Sequence, residues 1–205
     1  MEPFKIPGFP AVVYNLGEYS DFLEPFCDIL LEGNGERFTL GPDGEKDKFD
    51  IWEVDDFNVA MVAAAFDDVV LSFADEVHPL FKGKGKNYFL EKDAWLNGPT
   101  SWQGTRIHRH WEPFLKASDI GDIVTVFYPE VPTGLSVDNG ALHFYAEAEH
   151  GHLDHVWLPE DLESKFHYVP EKYDLIVFTT DTWHRARPFR GQRFSLATDV
   201  KLIEG

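Results

Sequence analysis

The spacing of apolar residues along the chain changes from a helical period to a strand-like period near residue 86. Before that point, residues 21–31 and about 55–77 have the apolar density of helices that pack on a core. Asp55 or Asp56 can cap the second helix, and Pro79 ends it. The first eighteen residues contain three prolines and are expected to be extended. This part of the chain therefore predicts two helices that follow an extended segment.

Beyond residue 86 the apolar period approaches two, and Gly, Pro and Asp separate the segments. Short strands are predicted at 87–91, 93–97, 105–112, 123–128, 142–147, 154–158, 174–180, 183–189 and 193–203. Many short strands with turns between them indicate a sandwich or a barrel. We predict a mainly β (α+β) chain in which residues 1–86 support a core formed by 87–205, the whole being one compact domain.

Composition and charge restrict the classes of protein that the chain can belong to. The formal net charge of −18 argues against binding to nucleic acids or to anionic membranes, which both require basic surface. The single cysteine, Cys27, cannot form an internal disulfide. The N-terminal residues lack the pattern of a signal peptide, and no apolar run approaches the length of a membrane-spanning helix. A cytoplasmic location is expected.

Three polar residues in two segments have the pattern of a metal site. His184 ends an apolar strand, and His110 and Glu112 are two residues apart, which places both on one face of a strand. Two histidines and one carboxylate, with other positions open, form the arrangement of non-haem Fe(II) oxygenases. His108 is also on the same face as His110 and is the alternative ligand. Arg193 follows His184 after nine residues and can bind an anion.

The order of the motifs resembles the Fe(II)- and 2-oxoglutarate-dependent dioxygenases, in particular their prolyl-4-hydroxylase-like branch. After the His-x-Glu pair come Val-Thr-Val-Phe-Tyr at 124–128, Gly-Ala-Leu-His-Phe-Tyr at 140–145, and Arg-Phe-Ser at 193–195. The resemblance covers about residues 85–202, and the glutamate in place of the commoner aspartate is a departure from it. It implies a double-stranded β-helix (a jelly roll, or cupin-like barrel) with the metal ligands in its mouth.

The resemblance also implies the chemistry. 2-Oxoglutarate would chelate Fe(II) through its keto acid end and extend its other carboxylate to Arg193, with a further hydrogen bond from Ser195. Thr125 or Tyr128 would complete this pocket, but they point to opposite faces of a strand, so one of the two is expected to do so. With O2 as the oxidant, the products would be succinate, CO2 and a hydroxylated peptidyl residue or small metabolite.

Two other functions and one competing motif stay open at this point. A cupin-like metal enzyme would use the same barrel without the cosubstrate, and a non-catalytic binding barrel would need no metal. His152 and Asp154, in the histidine-rich stretch 149–155, repeat the ligand spacing, but a loop with substrate contacts at the mouth is the preferred interpretation. Several arginines accompany the ligand segments and predict an anion-binding mouth: Arg106, Arg109, Arg185, Arg187, Arg190 and Arg193.

Overall fold

Two β-sheets and two long helices make up the computed structural model, which describes residues 2–37, 51–85, 87–97, 105–110, 122–146, 162–189 and 193–205. The helices are α1 (Ser20–Arg37) and α2 (Phe57–Glu76). The strands are β1 (Phe4–Lys5), β2 (Ala11–Asn15), β3 (Tyr88–Asn97), β4 (Ile123–Phe127), β5 (Leu142–Phe144), β6 (Phe166–Tyr168), β7 (Asp174–Thr179), β8 (His184–Ala186) and β9 (Ser195–Glu204). The predicted mainly β architecture with N-terminal helices is confirmed.

The larger sheet has six strands in the order β1-β2-β7-β4-β9-β3, and the smaller sheet has three in the order β6-β5-β8. Every neighbouring pair of strands is antiparallel. Because β1 pairs with β2 and β2 pairs with β7, the extended N-terminal segment is part of the larger sheet. The boundary at residue 86 between a supporting segment and a core stays a prediction.

The larger sheet has two differently packed faces, as strand alternation requires. On its helix face, Ile123 and Phe127 of β4 pack with Leu196 and Val200 of β9 against α1 and α2. On its inner face, Val124 and Val126 of β4 and Ile176 of β7 pack with Leu142 and Phe144 of the smaller sheet. The inner face of the larger sheet therefore lines the space between the two sheets. The helices cover the other face of the larger sheet.

Helix α2 is the principal cover of the helix face. Asp56 caps it as predicted, because its side chain accepts hydrogen bonds from the amides of Asn58 (2.7 Å) and Val59 (3.3 Å). The expectation that no apolar run approaches membrane-spanning length is wrong for α2, which reaches it by length and composition alone. Its buried side chains, which include Phe66 and Phe73, belong to the core on the helix face, as in the core helix of a globular domain.

Several strand predictions need correction. Residues 87–91 and 93–97 form one strand, β3, because charged residues are tolerated on a strand at the edge of a sheet. Strand β6 was not predicted at all. Of the predicted strand 105–112, residues 105–110 form only an isolated bridge between His108 and His184, and its last two residues lie outside the described part. The predicted strand 154–158 also lies outside it.

Candidate metal centre and cosubstrate pocket

Three histidine rings converge at one place between the sheets. One ligand atom from each of His108, His110 and His184 lies within 4.8 Å of the other two, and we refer to this group as the histidine cluster. The ring centroids are 4.3 Å apart for His108 and His184, 5.2 Å for His110 and His184, and 5.3 Å for His108 and His110. The structure thus unites the two halves of the site that the sequence predicted from segments more than seventy residues apart.

Backbone hydrogen bonds between the two segments hold these rings together. The His108 amide donates to the His184 carbonyl (3.0 Å), and the His184 amide donates to the His108 carbonyl (2.9 Å). The His110 amide donates to the carbonyl of Thr180 (2.9 Å). The segment 105–110 therefore runs antiparallel beside β8, and its alternate residues direct two imidazoles towards His184.

The hydrogen bonds of the rings determine which nitrogen each one presents. Nδ1 of His108 donates to the Arg106 carbonyl (2.8 Å), and Nδ1 of His184 donates to the Thr182 carbonyl (2.9 Å). A carbonyl can only accept, so both Nδ1 atoms carry a hydrogen and each neutral ring has its lone pair on Nε2. Nδ1 of His110 bonds to Oδ1 of Asp199 at 2.6 Å, which has the same consequence. Nε2 is therefore the nitrogen through which each of the three rings would bind a metal.

Burial favours the neutral form of two of these rings. It lowers the pKa of His108 to about 4, with a smaller contribution from the neighbouring His110. It also lowers the pKa of His184 well below its usual value, and both His108 and His110 add to that effect. A histidine must be neutral to bind a metal, so these two side chains are ready to do so at neutral pH.

The donor set fits a divalent transition metal. Three imidazole nitrogens suit iron, nickel, copper or zinc, and a cluster of three leaves coordination positions open for other ligands. Glu112, the carboxylate predicted as a ligand, lies outside the described residues. His108, the predicted alternative, occupies the third position of the histidine cluster, and its spacing from His110 was the signal for it.

Arg193 immediately precedes β9 and is buried, with 4% of its surface exposed. Its Nη1 donates a hydrogen bond to the Gly140 carbonyl. Among the residues that the structure describes, no carboxylate lies within ion-pair distance of Arg193. A buried cation without an anion is costly, and a ligand carboxylate would relieve this cost. The site therefore fits the distal carboxylate of 2-oxoglutarate.

Of the other residues predicted for this pocket, two lie on the same face of the larger sheet as Arg193, which is the inner face. Ser195 is buried and follows it by two residues, on the inner face. Tyr128 belongs to the inner-face core and is close enough for the guanidinium to oppose the upward shift that burial gives to the Tyr128 pKa. Thr125 lies between Ile123 and Phe127 on the helix face, so it faces away from Arg193.

Gly140 shapes this pocket and yields a prediction. Its φ is +86°, and a Cβ there would collide with Leu135 and lie 3.4 Å from Nη1 of Arg193. We expect Gly140→Ala to lower the free energy of unfolding by about 1–2 kcal/mol through backbone strain alone. It should also weaken the 2-oxoglutarate binding expected from the sequence, because Leu135 and Phe189 must shift beside Arg193. Urea denaturation and cosubstrate titration measure the two effects.

Gly134→Ala is the matched control for this substitution. Gly134 has a similar φ of +92°, but a Cβ there would meet no atom within 4 Å. It should share the strain and leave 2-oxoglutarate binding unchanged. Equal cosubstrate affinities in the two variants would contradict the assigned role of Gly140.

Two further predicted features have partial outcomes. Arg109 lies over the Trp183 ring, with 4.7 Å from its Cζ to the ring centroid, so it packs on an aromatic surface beside the cluster. Arg190 and the histidine-rich stretch 149–155 lie outside the described residues, and their predicted roles at the mouth stay predictions.

Comparison with known proteins gives the class of the fold. No protein-family model matches the chain, and no curated protein matches it. Solved structures do match over nearly its whole length, and they show that the chain has the fold of the prolyl-4-hydroxylase-like 2-oxoglutarate oxygenases. The resemblance predicted from the motifs is thereby confirmed for the fold.

Three of the matching structures define this likeness. A prolyl-4-hydroxylase from Pseudomonas putida has a TM-score of 0.53 at 15% identity, with 97% of this chain and 90% of that one covered. A prolyl hydroxylase from Trichoplax adhaerens, in complex with a hypoxia inducible factor peptide fragment, has a TM-score of 0.56 at 15% identity and coverages of 96% and 84%. HygX from Streptomyces hygroscopicus, with nickel and 2-oxoglutarate bound, has a TM-score of 0.55 at 12% identity and coverages of 94% and 82%.

Proposed function

We propose that the chain is an Fe(II)- and 2-oxoglutarate-dependent oxygenase whose two sheets form a double-stranded β-helix. The observation that carries the proposal is a pair of features on one side of β9. The histidine cluster contacts this strand through Asp199, and the buried Arg193, which lacks an anion among the described residues, lies six residues earlier. A metal and an elongated dianion held side by side would satisfy both features.

Each residue of the site has a specific task in this proposal. His110 and His184 hold the metal, with His108 or Glu112 as the third ligand. Arg193 holds the distal carboxylate of the cosubstrate through charge and paired N–H donors, and Ser195 and Tyr128 add hydroxyl groups beside it. When bound, Fe(II) with O2 supplies the oxidation that converts 2-oxoglutarate to succinate and CO2 and hydroxylates a substrate C–H bond.

The apolar wall of the inner face contributes by excluding water. Phe144 and Phe178 have no exposed surface, and the Phe178 ring centroid is 4.7 Å from that of His184. A dry wall beside a reacting centre strengthens the electrostatic interactions inside it and prevents side reactions.

The proposed substrate is a peptidyl residue or a small metabolite. One neighbour in fold supports the peptidyl choice, since the Trichoplax enzyme is in complex with a peptide. HygX, which is bound to nickel and 2-oxoglutarate, supports the proposed cosubstrate. The acidic net charge supports the absence of nucleic-acid and anionic-membrane partners. A cytoplasmic location stays a prediction.

Succinate formation tests the proposal directly. The purified chain is incubated with Fe(II), O2 and 2-oxoglutarate, with and without candidate peptides and metabolites. We expect succinate above the level without protein, and a dependence on both Fe(II) and 2-oxoglutarate. If the protein neither binds 2-oxoglutarate nor forms succinate, the proposal is rejected.

A second candidate function is a cupin-type metal enzyme that does not use 2-oxoglutarate. The observation that favours it is the presence of His108 in the histidine cluster, because three imidazoles can hold a metal without any carboxylate ligand. Metal binding without 2-oxoglutarate binding would support this candidate. Absence of both kinds of binding would leave a non-catalytic binding barrel.

A further inference from the structure

One of the three histidines in the cluster differs from the other two in the group that accepts the hydrogen bond from its Nδ1. His108 and His184 each donate from Nδ1 to the carbonyl two residues earlier in the chain. For His110 the equivalent carbonyl is that of His108, which already accepts the amide of His184. The His110 ring is anchored instead by a carboxylate, Asp199, at 2.6 Å from its Nδ1.

Asp199 is well placed to fix the direction of this ring. It lies on β9, which pairs with β4 on one side and β3 on the other, so its backbone is held from both sides. Its register partners are Val124 on β4 and Asp93 on β3. Because Leu196 and Val200 face the helices, alternation places Asp199 on the inner face with Ser195.

The His110 ring is also restrained by stacking. The Trp95 ring lies 5.7 Å from it at an interplanar angle of 24°, and the His184 ring lies 5.2 Å from it at 26°. Stacking fixes the plane of the imidazole but does not select which nitrogen carries the hydrogen. The hydrogen bond to Asp199 makes that selection, because a carboxylate accepts the Nδ1 hydrogen.

We propose that Asp199 is a positioning residue of the metal centre, which holds His110 in the tautomer that binds metal through Nε2 and makes that nitrogen a stronger donor. A charge-assisted bond to Nδ1 places negative charge on the side of the ring opposite the metal. Among the described residues the histidine cluster itself brings no negative charge. Asp199 supplies a negative charge through its hydrogen bond to Nδ1 of His110. This inference rests on the metal centre of the proposed function.

The test is the affinity of Co(II) for the full chain, measured by competition with a chelator, together with the visible absorption spectrum of the bound Co(II). Loss of such an outer partner costs about 10- to 100-fold in metal affinity. We expect Asp199→Ala to lower the Co(II) affinity by a factor within this range. Asp199→Asn keeps the shape and loses the charge, and should show a smaller loss with a shifted Co(II) spectrum.

Two controls separate positioning from a general effect on folding or charge. Asp93→Asn removes the carboxylate directly opposite Asp199 on β3, with the same change in net charge, and should leave the Co(II) affinity and spectrum unchanged. In a His110→Ala background, Asp199→Asn should have no further effect on affinity, because the ring through which it acts is gone. The thermal unfolding midpoint without metal identifies any variant that has lost its fold.

The outcomes distinguish this inference from the proposed function. If the wild-type chain binds Co(II) and 2-oxoglutarate but both Asp199 variants bind the metal like the wild type, this inference is overturned and the proposed function stands. If the Asp199 and Asp93 variants lose equal affinity, the effect is one of net charge, and the inference is again overturned. If the wild-type chain binds no metal, both are rejected.

Discussion

Replacement of Arg193 by alanine should strongly weaken 2-oxoglutarate binding and preserve metal binding. The guanidinium is buried at 4% exposure and, within the described part of the chain, has no carboxylate partner. Removing one partner of a buried, hydrogen-bonded charge pair costs about 2–5 kcal/mol, which corresponds to a loss of roughly 30-fold to several thousandfold in affinity. Titration with 2-oxoglutarate in the presence of Ni(II), and with Ni(II) alone, measures the two affinities separately.

Two further variants make this result interpretable. Lys5→Ala removes one positive charge from an exposed position on β1 and should bind 2-oxoglutarate like the wild type. Arg193→Lys keeps the charge but loses the planar fork, and should bind with intermediate affinity. If Arg193→Ala lost metal and cosubstrate equally, with its unfolding midpoint preserved, the site would be of the cupin type and Arg193 would not be a cosubstrate ligand.

Replacement of His184 by alanine should have the largest effect on the metal. His184 is 4% exposed, and its ring centroid lies 4.3 Å from that of His108 and 4.7 Å from that of Phe178, so another side chain could take its place only with repacking. Loss of an outer partner costs about 10- to 100-fold in metal affinity, and loss of a ligand itself should exceed that range. Chelator competition with Co(II) measures the change, and 2-oxoglutarate binding should fall with it because the keto acid end loses its metal.

The same assay decides the third ligand. His108→Ala and Glu112→Ala each remove one of the two candidates, and the variant with the larger loss of Co(II) affinity identifies the residue that binds. His143→Ala is the matched control, since His143 is a buried histidine on β5 whose Nε2 bonds to the Val137 carbonyl at 2.7 Å, outside the cluster. A His184→Ala variant that retained wild-type affinity would contradict the whole centre.

Local sequence patterns were sufficient for some parts of the site. His184 at the end of an apolar run, and His110 with His108 at same-face spacing, were recognisable because a pair of side chains on one face of an extended segment leaves a period of two. Metal binding by these residues and the role of Glu112 stay predictions. The cap of α2 at Asp56 was predictable for a similar reason, because capping depends on residues within one turn.

Parts that depend on pairing between distant strands were not predictable in the same way. The bond between His110 and Asp199 joins residues 89 positions apart, and it requires the register of β9 against both of its neighbours. The choice between Thr125 and Tyr128 required knowledge of which face of β4 the helices cover. The continuity of β3 was hidden by its charged residues, which an edge strand exposes to solvent.

The reciprocal amide bonds between His108 and His184 have a consequence for the thermodynamics of metal binding. They fix the backbones of two ligand positions as part of the folded chain, so folding has already removed the conformational entropy that a flexible pair of ligands would lose on binding. The main remaining cost of metal binding at such a centre is therefore the loss of water molecules from the metal's hydration shell. The same rigidity limits how far the two rings can separate, and so favours ions whose preferred bond lengths match the spacing that the backbone sets.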